Sequence, residues 1–119
     1  MTRMESHLAR FREFKRSAEL SDSDAMKVES WFLAAYHAIE ACAAKHRIHI
    51  QKHHLVPREL ERNPAILGER TKQVADAFRY LDFEARAKFV YGGSGKASDL
   101  TRAKRSFETI ESACEDVLR

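Results

Sequence analysis

Apolar side chains recur every three or four residues along most of this chain, the spacing that gathers them on one face of a helix. In residues 3–19, Met4, Leu8, Phe11 and Ala18 keep that rhythm while Arg10, Arg12, Lys15 and Arg16 fall elsewhere. Ser21-Asp22-Ser23-Asp24 interrupts it and offers hydroxyl and carboxylate caps for a following helix. From about Ala25 to His46, Val28, Phe32, Ala35, Ile39 and Cys42 form the stripe, and Trp31, Tyr36 and Ala43 widen it. Six alanines between 34 and 44 let neighbouring helices approach closely, so this segment is expected to be the central helix.

Residues 47–56 lose the pattern. Pro57 is placed to open a short helix through Arg62, and Asn63-Pro64 reads as a cap followed by a first-turn proline. The next helix is then expected from about 64 to 81 or beyond, with Leu67, Val74, Phe78 and Leu81 on one face. Asp82 either caps a new helix or sits inside a continuous one, and Gly92-Gly93-Ser94-Gly95 ends it in a loop. A last helix over 99–118, with Ser98 as its cap, carries Leu100, Ala103, Phe107, Ile110, Cys114 and Val117 in unbroken 3–4 alternation. These segments predict an all-α, up-and-down bundle of four to five helices, a single domain over residues 1–119. Trp31, Phe32, Phe83, Phe89 and Tyr91 are candidates for the interface of a homodimer, since two-fold dimers are the commonest oligomers.

Composition narrows this reading without changing it. With 44% hydrophobic and 33% charged residues, the 119-residue chain has too much apolar content for a disordered one. Only 4 Gly and 2 Pro argue against turn-rich β architectures. A net charge of +3 is mildly basic, short of what a nucleic-acid-coating protein carries. The charge is uneven: residues 21–44 hold four acids and one Lys, whereas 45–62 hold five Lys/Arg, two Glu and four of the six His. Cys42 and Cys114 fall on the expected buried stripes, as two reduced thiols or as a disulfide between helices. Residues 1–20 have no apolar signal-peptide core, and no run approaches the ~18 apolar residues of a membrane span, so the expectation is a cytoplasmic protein with no membrane association.

Three constellations could carry chemistry. His37, His46, His49, His53 and His54 lie within 18 residues. His49 and His53 would share a face if that stretch were helical, and zinc would then want a third ligand such as Glu40 or His37. No Cys-x-x-Cys or His-Glu-x-x-His supports a metal, so none is expected, nor any cofactor. Arg47 and His53 form an Arg-x5-His, the residue types that cleave RNA without metal: the imidazole moves a proton and the guanidinium stabilises phosphate charge. Their plainer role is a basic loop capping helix C-termini. Arg86 and Tyr91 could read a phosphate and stack a base, or Arg86 could pair with Glu84 or Asp82 beside a Tyr at the bundle end. Gly92-Gly93-Ser94-Gly95-Lys96 has the wrong spacing and context for a phosphate loop. The i, i+4 pairs Asp82 with Arg86 and Glu84 with Lys88 read as ordinary surface pairs.

The run Trp31-Phe-Leu-Ala-Ala-Tyr36-His37-Ala-Ile-Glu40-Ala-Cys-Ala-Ala resembles the second helix of the HEPN superfamily. His54-Leu55-Val-Pro-Arg58-Glu-Leu60 is similar to that family's histidine-led loop and short helix, and Arg86 to Tyr91-Gly92 to its Arg-led segment late in the third helix. The resemblance spans roughly residues 25–92 through short, degenerate motifs. It implies a four- to five-helix bundle, often a dimer, acting in RNA cleavage, nucleotide binding, or pairing with a nucleotidyltransferase-type partner in toxin–antitoxin and defence systems. Active members carry Arg-x4-6-His, and here the best-placed match is Arg86-x4-Tyr91, with Tyr where His is needed and no His after His54. Arg47 and His53 satisfy the spacing but stand early in the chain. The resemblance therefore implies a non-catalytic binding or interaction module, with His54, Arg58, Arg86 and Tyr91 as ligand-binding candidates. The alternatives are a metal-independent RNase using Arg47 and His53, and a purely structural, partner-bridging bundle.

Overall fold

A computed structural model describes residues 1–119, and every regular element in it is helical. Helix α1 (Arg3–Leu20) starts where Thr2 accepts the Glu5 N–H, and α2 (Asp24–Lys45) starts where the Ser23 hydroxyl accepts the Met26 N–H, as the Ser-Asp break predicts. A single 3₁₀ turn (His53–Leu55) leads into the short α3 (Val56–Arg62). After a second 3₁₀ turn (Gly68–Arg70), α4 (Thr71–Arg79), a π-helical stretch (Tyr80–Ala85) and α5 (Arg86–Phe89) run on as one rod. Helix α6 (Ala97–Leu118) closes the chain.

The bundle is up-and-down. The end of α1 lies by the start of α2, where Lys27 Nζ donates to the Ala18 carbonyl, while His7 near the start of α1 meets His37 further along α2. The α4–α5 rod runs antiparallel to α6, with Arg70 on Asp116 at one end and Lys88 on Asp99 at the other. Helix α2 is enclosed by α1, α6 and the α4–α5 rod, and the expected stripe residues Val28, Phe32, Ala35, Ile39 and Cys42 are all buried. Its alanines at 34, 38, 41 and 43 are buried too, so the helix is covered nearly all round, which small side chains permit. Phe78 meets Phe32 with ring centroids 5.5 Å apart, and Ala103, Phe107, Ile110 and Cys114 supply the α6 side of the core. Cys42 and Cys114 are free, buried thiols, the Cys42 Sγ lying 3.8 Å from the Cys114 carbonyl oxygen. No helix is long and apolar enough to cross a membrane.

Three boundaries depart from the sequence expectation, each for a local reason. Asn63 closes α3 from behind, its side-chain Nδ2 donating to the Glu59 carbonyl at 2.8 Å, instead of capping a helix ahead of it. Gly68 takes a left-handed φ of 60°, so no helix can run through from Pro64 and α4 begins only at Thr71. Lys96, not Ser98, is the N-cap of α6, because the Asp99 carboxylate reaches back to the Lys96 N–H at 3.0 Å. Asp82 sits inside the continuous rod. There Arg86 N–H bonds to Leu81, five residues back, and Tyr80, Leu81 and Asp82 are buried in succession because the rod has α6 on one side and α2 on the other. Of the five proposed interface aromatics, Trp31 and Phe32 belong to the protomer's own core and Phe89 is half-buried, which leaves Phe83 and Tyr91, 62% and 69% exposed.

Phe78→Ala tests the packing, since that ring is fully buried between α2 and the α4–α5 rod. Chemical denaturation should show a loss of about 3–5 kcal/mol; a loss under about 1 kcal/mol contradicts the core described.

Candidate functional site

The irregular stretch after α2 folds back along it and is held by one residue. Ile50 is buried; its N–H donates to Glu40 Oε1 at 2.8 Å and its carbonyl accepts the Tyr36 hydroxyl at 2.8 Å. Tyr36 and Glu40 are one helical turn apart on α2, so both backbone polar groups of Ile50 find partners on a single helix face. Burial and the Glu40 charge push the Tyr36 hydroxyl up to about 12, which keeps it a neutral donor. Pinned this way, the segment delivers His49 to one side and Lys52, His53 and His54 to the other. His49 and His53 part company because the backbone between them is not helical.

On the His53 side, charges converge across three elements. Arg86 donates from Nε to Glu29 Oε2 at 3.1 Å and from Nη2 to Glu29 Oε1 at 3.2 Å, a two-pronged grip on α2. Its Nη1 donates to Asp82 Oδ1 at 3.0 Å, its Nη2 also reaches the Tyr91 hydroxyl at 2.9 Å, and its guanidinium lies 4.1 Å over the Phe32 ring. Burial opposes the charge on Arg86, but the hydrogen bonds and charge of Glu29, together with Asp82, outweigh it and raise its pKa. The other Asp82 oxygen, Oδ2, lies 3.2 Å from His53 Nδ1, and the His53 ring meets Phe32 edge-on. A carboxylate oxygen accepts, so His53 Nδ1 is the donor in this contact and Nε2 is the ring nitrogen turned away from Asp82. The Asp82 and Arg86 side chains are only 5% and 13% exposed, so theirs is a core ion pair and not the surface pair expected. Lys88 pairs with Asp99 on α6, not with Glu84.

On the His49 side, Glu40 is buried at 1% exposure in the middle of α2. Its second oxygen, Oε2, lies 3.1 Å from His49 Nδ1 and 3.5 Å from His7 Nε2 of α1, yet makes no well-directed hydrogen bond. Burial raises the Glu40 pKa against the pull of the Ile50 N–H and of His49. The far side of the His7 ring, Nδ1, lies 2.9 Å from His37 Nδ1. Burial and then the neighbouring His7 lower His37 to about 4, and it stacks on Phe14.

Between the two clusters runs an open groove of about 460 Å³, floored by Phe32, Leu33 and Tyr36 and edged by His37, Lys52 and His54. The candidate residues therefore divide. His53, Arg86 and Tyr91 come together; His54 stands on the groove; Arg58 projects from α3 into solvent. Arg47 joins none of them. Its N–H bonds to Ala44 at the far end of α2, and it lines a separate cavity with Thr2, Arg3 and Met4. Ala44 and Phe32, against which His53 rests, are about 18 Å apart along the helix at 1.5 Å per residue.

Sequence reasoning missed Glu29 and His7. The signal for His7 is that it falls between Met4 and Phe11 in the α1 rhythm, on the half-buried face. Arg86→Met is expected to strand Asp82 and Glu29 without their cation and to cost about 3 kcal/mol in chemical denaturation, with Arg86→Lys recovering only part because a lysine lacks the fork. An Arg86→Met protein as stable as the parent contradicts the clamp.

Comparison with protein-family models, with curated proteins and with solved structures finds no match to this chain.

Proposed function

We propose that this protein is a non-catalytic, HEPN-like binding and interaction module that takes a nucleotide or RNA in the groove between α2 and the 3₁₀ turn. The observation that carries the reading is the groove itself, where the half-buried Tyr36 ring, backed by the buried Phe32, is edged by Lys52, His53 and His54. An aromatic face stacks bases without regard to sequence, and the Lys52 ammonium on the rim attracts phosphate. Arg86 and Tyr91 take a supporting part: with Glu29 and Asp82 already on the guanidinium, Arg86 holds His53 through Asp82 instead of meeting a phosphate. Arg58, one turn beyond the groove, adds positive potential from solvent. Exposed Phe83 and Tyr91 support the homodimer that the family resemblance implies, and the same resemblance makes a nucleotidyltransferase-type protein the expected partner, in toxin–antitoxin or defence systems.

One observation favours the metal-independent RNase. His53 is oriented by a buried carboxylate, the arrangement that readies an imidazole to move a proton. The arginine named for that reading, Arg47, is elsewhere, and no free guanidinium replaces it beside His53.

Fluorescence anisotropy with a short labelled RNA at low salt is the test. Binding should weaken several-fold in Lys52→Ala and in His54→Ala, stay unchanged in Arg47→Ala, and fall with added salt. No binding at low salt contradicts the reading and favours a purely structural, partner-bridging bundle. Incubation of the protein with mixed RNA in EDTA should leave the RNA intact; cleavage that disappears in His53→Ala establishes the RNase instead. Light scattering after size exclusion should give twice the chain mass, and a monomer at micromolar concentration removes the dimer.

A further inference from the structure

We propose that His7 Nε2, Glu40 Oε2 and His49 Nδ1 form a binding site for a divalent transition-metal ion, with zinc the best-suited ion. This departs from the sequence expectation of no metal and is independent of the groove.

The donor geometry is the first argument. The three atoms lie within 4.8 Å of one another, with Glu40 Oε2 3.1 Å from His49 Nδ1 and 3.5 Å from His7 Nε2. Two donors each about 2.0–2.1 Å from a tetrahedral ion stand about 3.3 Å apart, so these two edges bracket what zinc needs, and the His7–His49 edge, within 4.8 Å, closes to it by a turn of the exposed His49 ring. The donor set, two imidazoles and a carboxylate, is one that zinc uses when it keeps a fourth position open. That position has a way out, because the His49 ring is 44% exposed while the other two donors are largely enclosed.

The second argument is the placement of Glu40. Its carboxylate is 1% exposed, and Oε2 faces two imidazoles, His49 Nδ1 at 3.1 Å and His7 Nε2 at 3.5 Å, without a well-directed hydrogen bond to either. Its other oxygen is engaged by the Ile50 N–H, which fixes the carboxylate plane and aims Oε2 at the two rings. A cation between the three donors would give that oxygen a directed bond in place of two off-axis contacts.

The third argument is the outer support. A histidine ligand usually passes its remaining ring N–H to a partner that fixes ring and tautomer. His7 has that partner in His37, Nδ1 to Nδ1 at 2.9 Å. With His7 bound to the ion through Nε2, its Nδ1–H faces the His37 Nδ1 as donor to acceptor. An ion here ties α1, α2 and the 46–52 segment together.

The experiment uses the intact chain, stripped with EDTA and dialysed, titrated with zinc chloride against a chromophoric chelator. One ion per chain is expected at the tight site. His49→Ala and His7→Ala should each weaken binding tenfold or more, while His54→Ala should not, and zinc should raise the melting temperature of the parent but not of His49→Ala. His49 is half-exposed, so its variant folds and decides the matter if His7→Ala is unstable. No zinc binding by the parent, or binding kept in His49→Ala but lost in His54→Ala, overturns the site.

Discussion

Two hydrogen bonds to one residue set the arrangement of everything that could do chemistry here. Ile50 lies in a stretch with no helical hydrogen bonds of its own, and Glu40 and Tyr36 of α2 take up its N–H and carbonyl. A buried backbone group left unpaired costs about 1–3 kcal/mol, so the two side chains offset a penalty the segment could not avoid by itself. The consequence is positional. Residues before Ile50 meet Glu40 and α1, and residues after it cross the Phe32 face of α2 and reach Asp82.

The alanine-rich α2 makes this possible. Small side chains let α1, α6 and the α4–α5 rod approach on three sides, and the fourth side takes the folded-back segment. Polar groups on so enclosed a helix must find partners inside the protein. Glu29 finds Arg86, Tyr36 finds Ile50, and Glu40 finds Ile50 with one oxygen while the other faces two imidazoles without a directed bond. The clamp at Arg86 belongs to the same economy. Its guanidinium gathers Glu29, Asp82 and Tyr91 while lying on Phe32, which ties α5 to α2 and holds His53 through Asp82.

The long helices were legible because their stripes repeat by 3 and 4 without a break, and α2 and α6 begin and end within one or two residues of where the pattern puts them. Asn63 and Ser98 misled because a capping residue type serves either end of a helix or its first turn, and only the bonds it makes decide which. Residues 46–55 were opaque for a different reason. Their course is fixed by partners ten and fourteen residues away at Glu40 and Tyr36, not by any local period. In such a stretch, separation in sequence does not measure separation in space. The Arg47–His53 spacing therefore predicted a pair the fold does not make, and His7, thirty residues ahead of His37, gave no sign of joining the histidine cluster. The convergence of Arg86 with Tyr91 was legible from helical geometry alone, but its two carboxylate partners, which decide what Arg86 can do, were not both visible.

Hydrogen exchange at the Ile50 amide is the most direct test of this account. Bonded to a carboxylate in the core, that amide should exchange orders of magnitude more slowly than those of Gln51 and Lys52, close to the rates of α2 itself, and should lose the protection in Glu40→Ala. An Ile50 amide that exchanges as fast as its exposed neighbours would mean that the segment is not pinned to α2, and neither histidine cluster would then stand as described.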